Sequence, residues 1–245
     1  MNMDCFMKRF TSVLMNDAHD DTFETLKILT GGTTSPRIAK LLNFAVSQMG
    51  ENECYVEVGV FNGTTLCSAA YVNGKHCIGI DSYDSVQTGA MTATPPSEIR
   101  DRCLQNIKNA APLARLIEKD FRNVTKEELG FPVAVSFIDG KHDFTDVMAN
   151  LLWLEPLLAD NAILVFDDVN YFEVSRAIFE WTEKMKESTE LLAYMKSIFY
   201  NNQYSWSAAD RFLNNGVCVL GYHRKPFGNL WIMDLENKNK GEETC

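Results

Sequence analysis

CYVEVGVFNGTTLCSAAYV, residues 54–72, is the stretch that sets the fold. Its first residues, Cys54 to Val58, form an apolar run with one acid, the pattern of a buried strand. Gly59 and Gly63 punctuate a turn, and Thr64 to Val72 reads as a helix of small side chains. A second apolar run, HCIGID at 76–81, follows at once. Two strands joined through a helix are expected to pair parallel.

The alternation continues on both sides. Upstream, SPRIAKLLNFAVSQM (35–49) sets Ile38, Leu41, Leu42, Ala45, Val46 and Met49 at helical spacing behind a Ser-Pro start. Downstream come a helix over 97–109 and the strands ARLIE (114–118) and PVAVSFID (132–139). A helix over 143–158 carries Val147, Leu151, Leu154 and Leu158 on one stripe, and NAILVFDD (161–168) is the next strand. Val174, Ala177, Ile178, Trp181 and Met185 line a helix over 172–187; a strand near 196–200 and GVCVLGYHR (216–224) follow. The pattern predicts an α/β fold, a Rossmann-like, seven-stranded, mostly parallel sheet with helices on both faces. The last two strands, with no helix between them, are expected as an antiparallel edge hairpin. Residues 1–34 are expected as an N-terminal helical cover or a dimer contact, 35–233 as the main domain, and 234–245 as a polar tail.

Composition narrows the function. At 245 residues, 46% hydrophobic and 23% charged, one domain with a large core is the default. A net charge of −10 has the wrong sign for a phosphate backbone, so no nucleic-acid partner is expected. Neither a signal-like start nor an apolar run of about 18 residues occurs, so no membrane contact and a cytoplasmic location are expected. Cysteines stand at 5, 54, 67, 77, 103, 218 and 245, with no CxxC pair; several sit in apolar runs and read as core.

Ligands of such sheets bind beyond the carboxyl ends of the strands. Glu57, Asp81, Asp120, Asp139, Asp167 and Asp168 each end or closely follow an apolar run, so the topology gathers acids on one rim. VSFIDGKHDF (135–144) adds Lys141 and His142 just past Asp139. Neighbouring strands lie about 4.8 Å apart, which lets carboxylates ending two of them converge on one ion. Carboxylates without thiolates suit a hard cation, magnesium first.

VEVGVFNGTT resembles the first motif of class I S-adenosylmethionine-dependent methyltransferases: an acid, one residue, a glycine and a second glycine four on. The resemblance implies that Gly59, Phe61, Asn62, Gly63 and Thr64 wrap S-adenosylmethionine, with Glu57 near its methionine end. It implies that Asp81, next to Ser82, grips the ribose hydroxyls, that Asp120 and Phe121 lie by the adenine, and that Asp139 borders the same ligand. A nicotinamide-binding GxGxxG is missing, since Phe61 stands where its second glycine belongs.

Residues 53–170 are similar to metal-dependent sugar O-methyltransferases of the macrocin type and to cephalosporin hydroxylase relatives, on FIDGKH, LLWLEPLLADNAI and VFDD. Catechol O-methyltransferase has a related set, with Asp-Asn where this chain has Asp167-Asp168. The resemblance implies that Asp139, Asp167 and Asp168 bind Mg2+ or another divalent cation. It further implies that His142, with Asp139, catalyses methyl transfer to a small hydroxylated acceptor, a sugar or a catechol-like ring.

Alternatives stand beside this. Asp139, Asp167 and Asp168 could instead cap the helices that follow them. Lys141 titrates too high for a base unless perturbed, and His19, His76 and His223 read as structural or exposed. Loop 82–98, with Tyr83, Met91 and Pro95-Pro96, and loop 200–212, with Tyr204, Trp206 and Asp210, are expected to choose the acceptor. A noncatalytic cofactor-binding or accessory protein, an NAD-dependent oxidoreductase and a homo-oligomer stay open.

Overall fold

The strands anticipated between residues 54 and 168 form where their apolar runs lie. In the computed structural model, which describes residues 1–15, 21–84, 94–196 and 215–224, five of them pair parallel. They are β1 (Cys54–Val58), β2 (His76–Ile80), β3 (Arg115–Ile117), β4 (Val133–Ile138) and β5 (Leu158–Asp167), in the spatial order β3-β2-β1-β4-β5. Two more strands, β6 (Thr189–Met195) and β7 (Val217–His223), complete the sheet. β7 lies between β5 and β6 and runs antiparallel to both.

Register decides where the site falls. Val58 is level with Ile80 of β2 and with Ile138 of β4, and Ile138 is level with Phe166 of β5. The residues that follow, Gly59, Asp81, Asp139 and Asp167, therefore leave the sheet side by side.

Alternate side chains of β1 feed two cores. Tyr55 packs on one face with Ile38, Leu41 and Leu42; Cys54, Val56 and Val58 pack on the other with Leu151, Leu154 and Trp181. The helices over both faces are α1 (Met3–Met15), α2 (Asp21–Thr30), α3 (Pro36–Ser47), α4 (Thr64–Ala70), α5 (Pro96–Ala110), α6 (Lys126–Leu129), α7 (Phe144–Leu154) and α8 (Phe172–Lys184). Phe6, Phe10 and Leu14 put α1 into the same core as α3, with Phe6 stacked on Phe44 at 5.5 Å. α3 starts as its sequence promised: the Ser35 hydroxyl accepts the Ile38 N–H and Pro36 opens the first turn.

Two boundaries differ from expectation. The helix anticipated over 143–158 stops at Leu154, because Pro156 supplies no N–H and a 3-10 turn follows. The strand expected near 196–200 forms earlier, at Thr189–Met195, after a short turn behind α8; 197–200 lie outside the described residues. Met91 of loop 82–98, loop 200–212 and the tail 234–245 also lie outside them.

The six cysteines among the described residues are free and buried. Burial pushes the Cys67, Cys77 and Cys218 thiols up to about 12, so they act as small core residues, as anticipated. Among the described residues no helix is long and apolar enough to cross a membrane.

Candidate active site

The turn after β1 is built around Gly59. Its φ of +90° lies in the left-handed region, and a Cβ there would meet the Asp139 carbonyl oxygen at 2.1 Å. Only glycine lets the turn pass this close to the end of β4. Asp81, leaving β2, fastens the turn from the other side. Its Oδ2 accepts the N–H groups of Val60 and Phe61 at 2.8 and 3.1 Å, and its Oδ1 accepts the Tyr83 N–H at 2.9 Å. The Tyr83 hydroxyl donates to the Phe61 carbonyl at 3.1 Å. A carboxylate accepts about four hydrogen bonds, so half-buried Asp81 retains one acceptor position, on Oδ1.

Other residues of the motif point inward. Glu57 is fully buried beneath the turn, where the hydroxyls of Tyr55 and Thr65 donate to it at 2.6 and 2.5 Å. Burial pushes its carboxyl up to about 8 despite those two bonds. Asn62 donates to the Gly31 carbonyl at 2.9 Å, and Thr64 shares a 2.7 Å hydroxyl contact with Thr30. Both thus tie the turn to the end of α2. Ser82 accepts the Asp84 N–H at 3.3 Å. Asp120 caps the short 3-10 turn at Phe121–Asn123 and pairs with Arg122 at 2.9 Å, while Phe121 meets Trp153 edge-on.

Past β4 and β5 the acids crowd. Asp139, His142 and Asp168 each present a ligand atom, all within 4.8 Å of one another. The Asp139 carboxyl receives no hydrogen bond from the described residues. Burial, and then the charges of Asp167, Asp168, Glu57 and Asp81, hold it well above the usual carboxylate range. His142 Nε2 lies 2.6 Å from Asp168 Oδ2. That bond raises the imidazole above its ordinary value, against the opposing effect of burial. The Tyr171 ring stacks on His142 at 4.8 Å and 7°, and Asn215 Nδ2 donates to Asp168 Oδ1 at 2.7 Å. Asp167 is buried; its Oδ1 accepts the Asp168 N–H at 2.9 Å, and its carboxyl is outside the trio that converges.

Helix capping does not account for these acids. α7 is capped by Asp143, whose side chain accepts the Asp146 N–H, and α8 has no side-chain cap. Lys141 is drawn off to Asp146 at 3.3 Å. His76 stacks on Phe131 and His223 bonds Asn161, so both are structural as read. Sequence reasoning missed Tyr171 and Asn215. The Asn-Gly at 215–216 was a readable turn signal, but nothing local ties it to Asp168.

Known proteins share the fold that carries this site. Residues 56–169 match the family model described as Methyltransferase domain. An O-methyltransferase from Bacillus cereus in complex with SAH is 14% identical, covers 87% of this chain and 96% of its own, and superposes with a TM-score of 0.58. Cofactor-bound Rv0187 from MTB reaches 0.57 at 13% identity, over 91% and 96% of the two chains. The O-methyltransferase TomG from Streptomyces achromogenes, in complex with SAM, reaches 0.55 at 11% identity, over 87% and 93%. At these identities the likeness is one of fold. No curated protein matches the chain.

Proposed function

We propose that the protein, whose residues 56–169 match a methyltransferase domain and whose sheet has the Rossmann-like order, transfers a methyl group from S-adenosylmethionine to a hydroxyl oxygen of a small acceptor, a sugar or catechol-like diol, assisted by a divalent cation. The observation that carries this reading is the convergence of Asp139, His142 and Asp168 beside the Gly59 turn. The cofactor would lie over that turn, with Asp81 Oδ1 reaching a ribose hydroxyl.

The residues fit a hard cation. Two carboxylates, Asp139 and Asp168, converge with no thiolate beside them, and the Asp139 carboxyl has no hydrogen-bond partner among the described residues. Asp139, Asp168 and, with Asp167 close by, this end of β5 would hold it. When bound, Mg2+ would supply the Lewis acidity that lowers the proton affinity of an acceptor hydroxyl.

Asp168 fixes the imidazole through Nε2, and Nδ1 makes no hydrogen bond among the described residues. Nδ1 would receive the acceptor's proton as the oxygen takes the methyl carbon and the sulfonium sulfur leaves as a thioether. The protein's part is to hold the two reactants at near-attack distance, roughly 3–3.5 Å. In this reading residues 35–233 are the catalytic domain, 1–34 its helical cover, the location is cytoplasmic, and no nucleic acid or membrane takes part.

Labelled S-adenosylmethionine with fractionated cell extract tests the proposal. Label should enter a small polar acceptor and vanish with chelator or with His142→Ala. Transfer that survives chelation would remove the cation, and label confined to nucleic acid would remove the acceptor class.

A further inference from the structure

Asp168 has an unusual backbone, and the reason lies 47 residues on, just before the start of β7. Its φ of +60° puts a non-glycine residue in the left-handed region, which persists only where neighbours over-determine it. Two residues do so. Asp167 Oδ1 accepts the Asp168 N–H at 2.9 Å, and Asn215 Nδ2 donates to Asp168 Oδ1 at 2.7 Å. Asn215 is itself pinned. Its carbonyl accepts the Asn170 N–H at 2.8 Å, and the next residue, Gly216, has φ +90° with no room for a side chain. A Cβ at Gly216 would lie 2.6 Å from the Met195 carbonyl and 3.0 Å from Asn170 Oδ1.

We propose that Asn215 is a positioning residue, one that fixes the Asp168 carboxylate so that its other oxygen holds His142. With Oδ1 taken by Asn215, only Oδ2 is left to face the imidazole, at 2.6 Å. Tyr171 on the ring face then stops the imidazole from turning. The insertion of β7 between β5 and β6 thus serves the site: it carries a neutral amide donor to an acid that already faces Asp139 and Asp167. A lysine or arginine there would compete for the role of the cation; an amide aligns Asp168 and leaves its charge in place. The consequence for His142 rests on its reading as proton acceptor, whereas the hydrogen-bonded geometry does not.

Histidine-selective 15N NMR tests this without any acceptor. The chain has four histidines, and His76 and His223 serve as internal references. In chelator-treated unsubstituted protein, His142 should show a single tautomer protonated at Nε2, with slow solvent exchange. Asn215→Ala and the isosteric Asn215→Asp should both speed that exchange roughly tenfold, the size of one charge-assisted hydrogen bond. They should leave His76, His223 and affinity for S-adenosylhomocysteine unchanged. A His142 signal as well protected in Asn215→Asp as in the unsubstituted protein would overturn the proposal. So would a tautomer mixture in the unsubstituted protein, a result obtainable even if neither variant folds. Failure to bind S-adenosylhomocysteine at all would instead strike the functional reading and leave this spectrum as the test of Asn215.

Discussion

Asp81 and Asp139 end the two strands that flank β1, yet the chain treats them in opposite ways. Asp81 receives three backbone N–H groups and is thereby part of the turn it supports. Asp139 receives none from the described residues and faces the charges of Asp167, Asp168, Glu57 and Asp81. A half-buried carboxylate crowded by like charges costs stability unless something outside the chain compensates it. One side of the rim is finished by folding, and the other is the side the proposed cation would complete.

Gly59 is the seam between the two sides, so breaking it gives the largest effect. Gly59→Ala forces a Cβ to 2.1 Å from the Asp139 carbonyl at a φ of +90°. It should cost on the order of 3 kcal/mol or more, read by urea unfolding. A loss below about 1 kcal/mol would show that the two sides do not meet as described.

Asp139→Asn should sharpen the contrast next. Removing one of the crowded charges should raise Tm by about 2–4 °C in chelator, roughly 1 kcal/mol for a chain of this size. The unsubstituted protein should gain about 2.7 kcal/mol at a Mg2+ concentration a hundred times its Kd, and the variant should gain almost nothing. A variant less stable in chelator, or one that keeps its magnesium response, would show that Asp139 is no ligand.

Asp81→Ala tests the finished side. It should weaken S-adenosylhomocysteine binding about 10–100-fold by calorimetry, the range of one hydrogen bond to a charged group plus a loosened turn. Its Tm should also fall, because three N–H groups lose their acceptor. Unchanged affinity would take Asp81 out of the ligand site.

The last effect belongs to Glu57 and is spread over a range of pH. Its carboxyl holds a proton up to about 8 in the folded protein, against 4.5 as its ordinary value. Between those values the unfolded chain binds fewer protons, so stability falls as pH rises through the window, by no more than about 1.4 kcal/mol per unit. The contribution is full below the lower value and gone above the upper one. Glu57→Gln should flatten that slope in urea melts, and an unaltered slope would mean Glu57 is ionised beneath the turn.

The same contrast explains what could be read from the sequence. β1, β4 and β5 are buried on both faces, so near-continuous apolar runs revealed them and the acids at their ends. β6 is bonded on one side only and half-buried, and TELLAYM shows no clean alternation, so its place was misjudged. Asp139, His142 and Asp168 were legible because each lies within a few residues of a strand end. Asn215 and Tyr171 were not, since their roles depend on where β7 inserts and how Asp168 twists, both tertiary facts. The inward turn of Glu57, Asn62 and Thr64 was hidden for a like reason: motif spacing does not record which way a side chain points.

Calorimetry with S-adenosylhomocysteine and with NADH, each with and without Mg2+, probes the shared basis of all this. Carboxylates lined up by register at one rim should hold the thioether nucleoside at a single site per chain and leave NADH unbound. Binding of NADH with no heat from S-adenosylhomocysteine would contradict it.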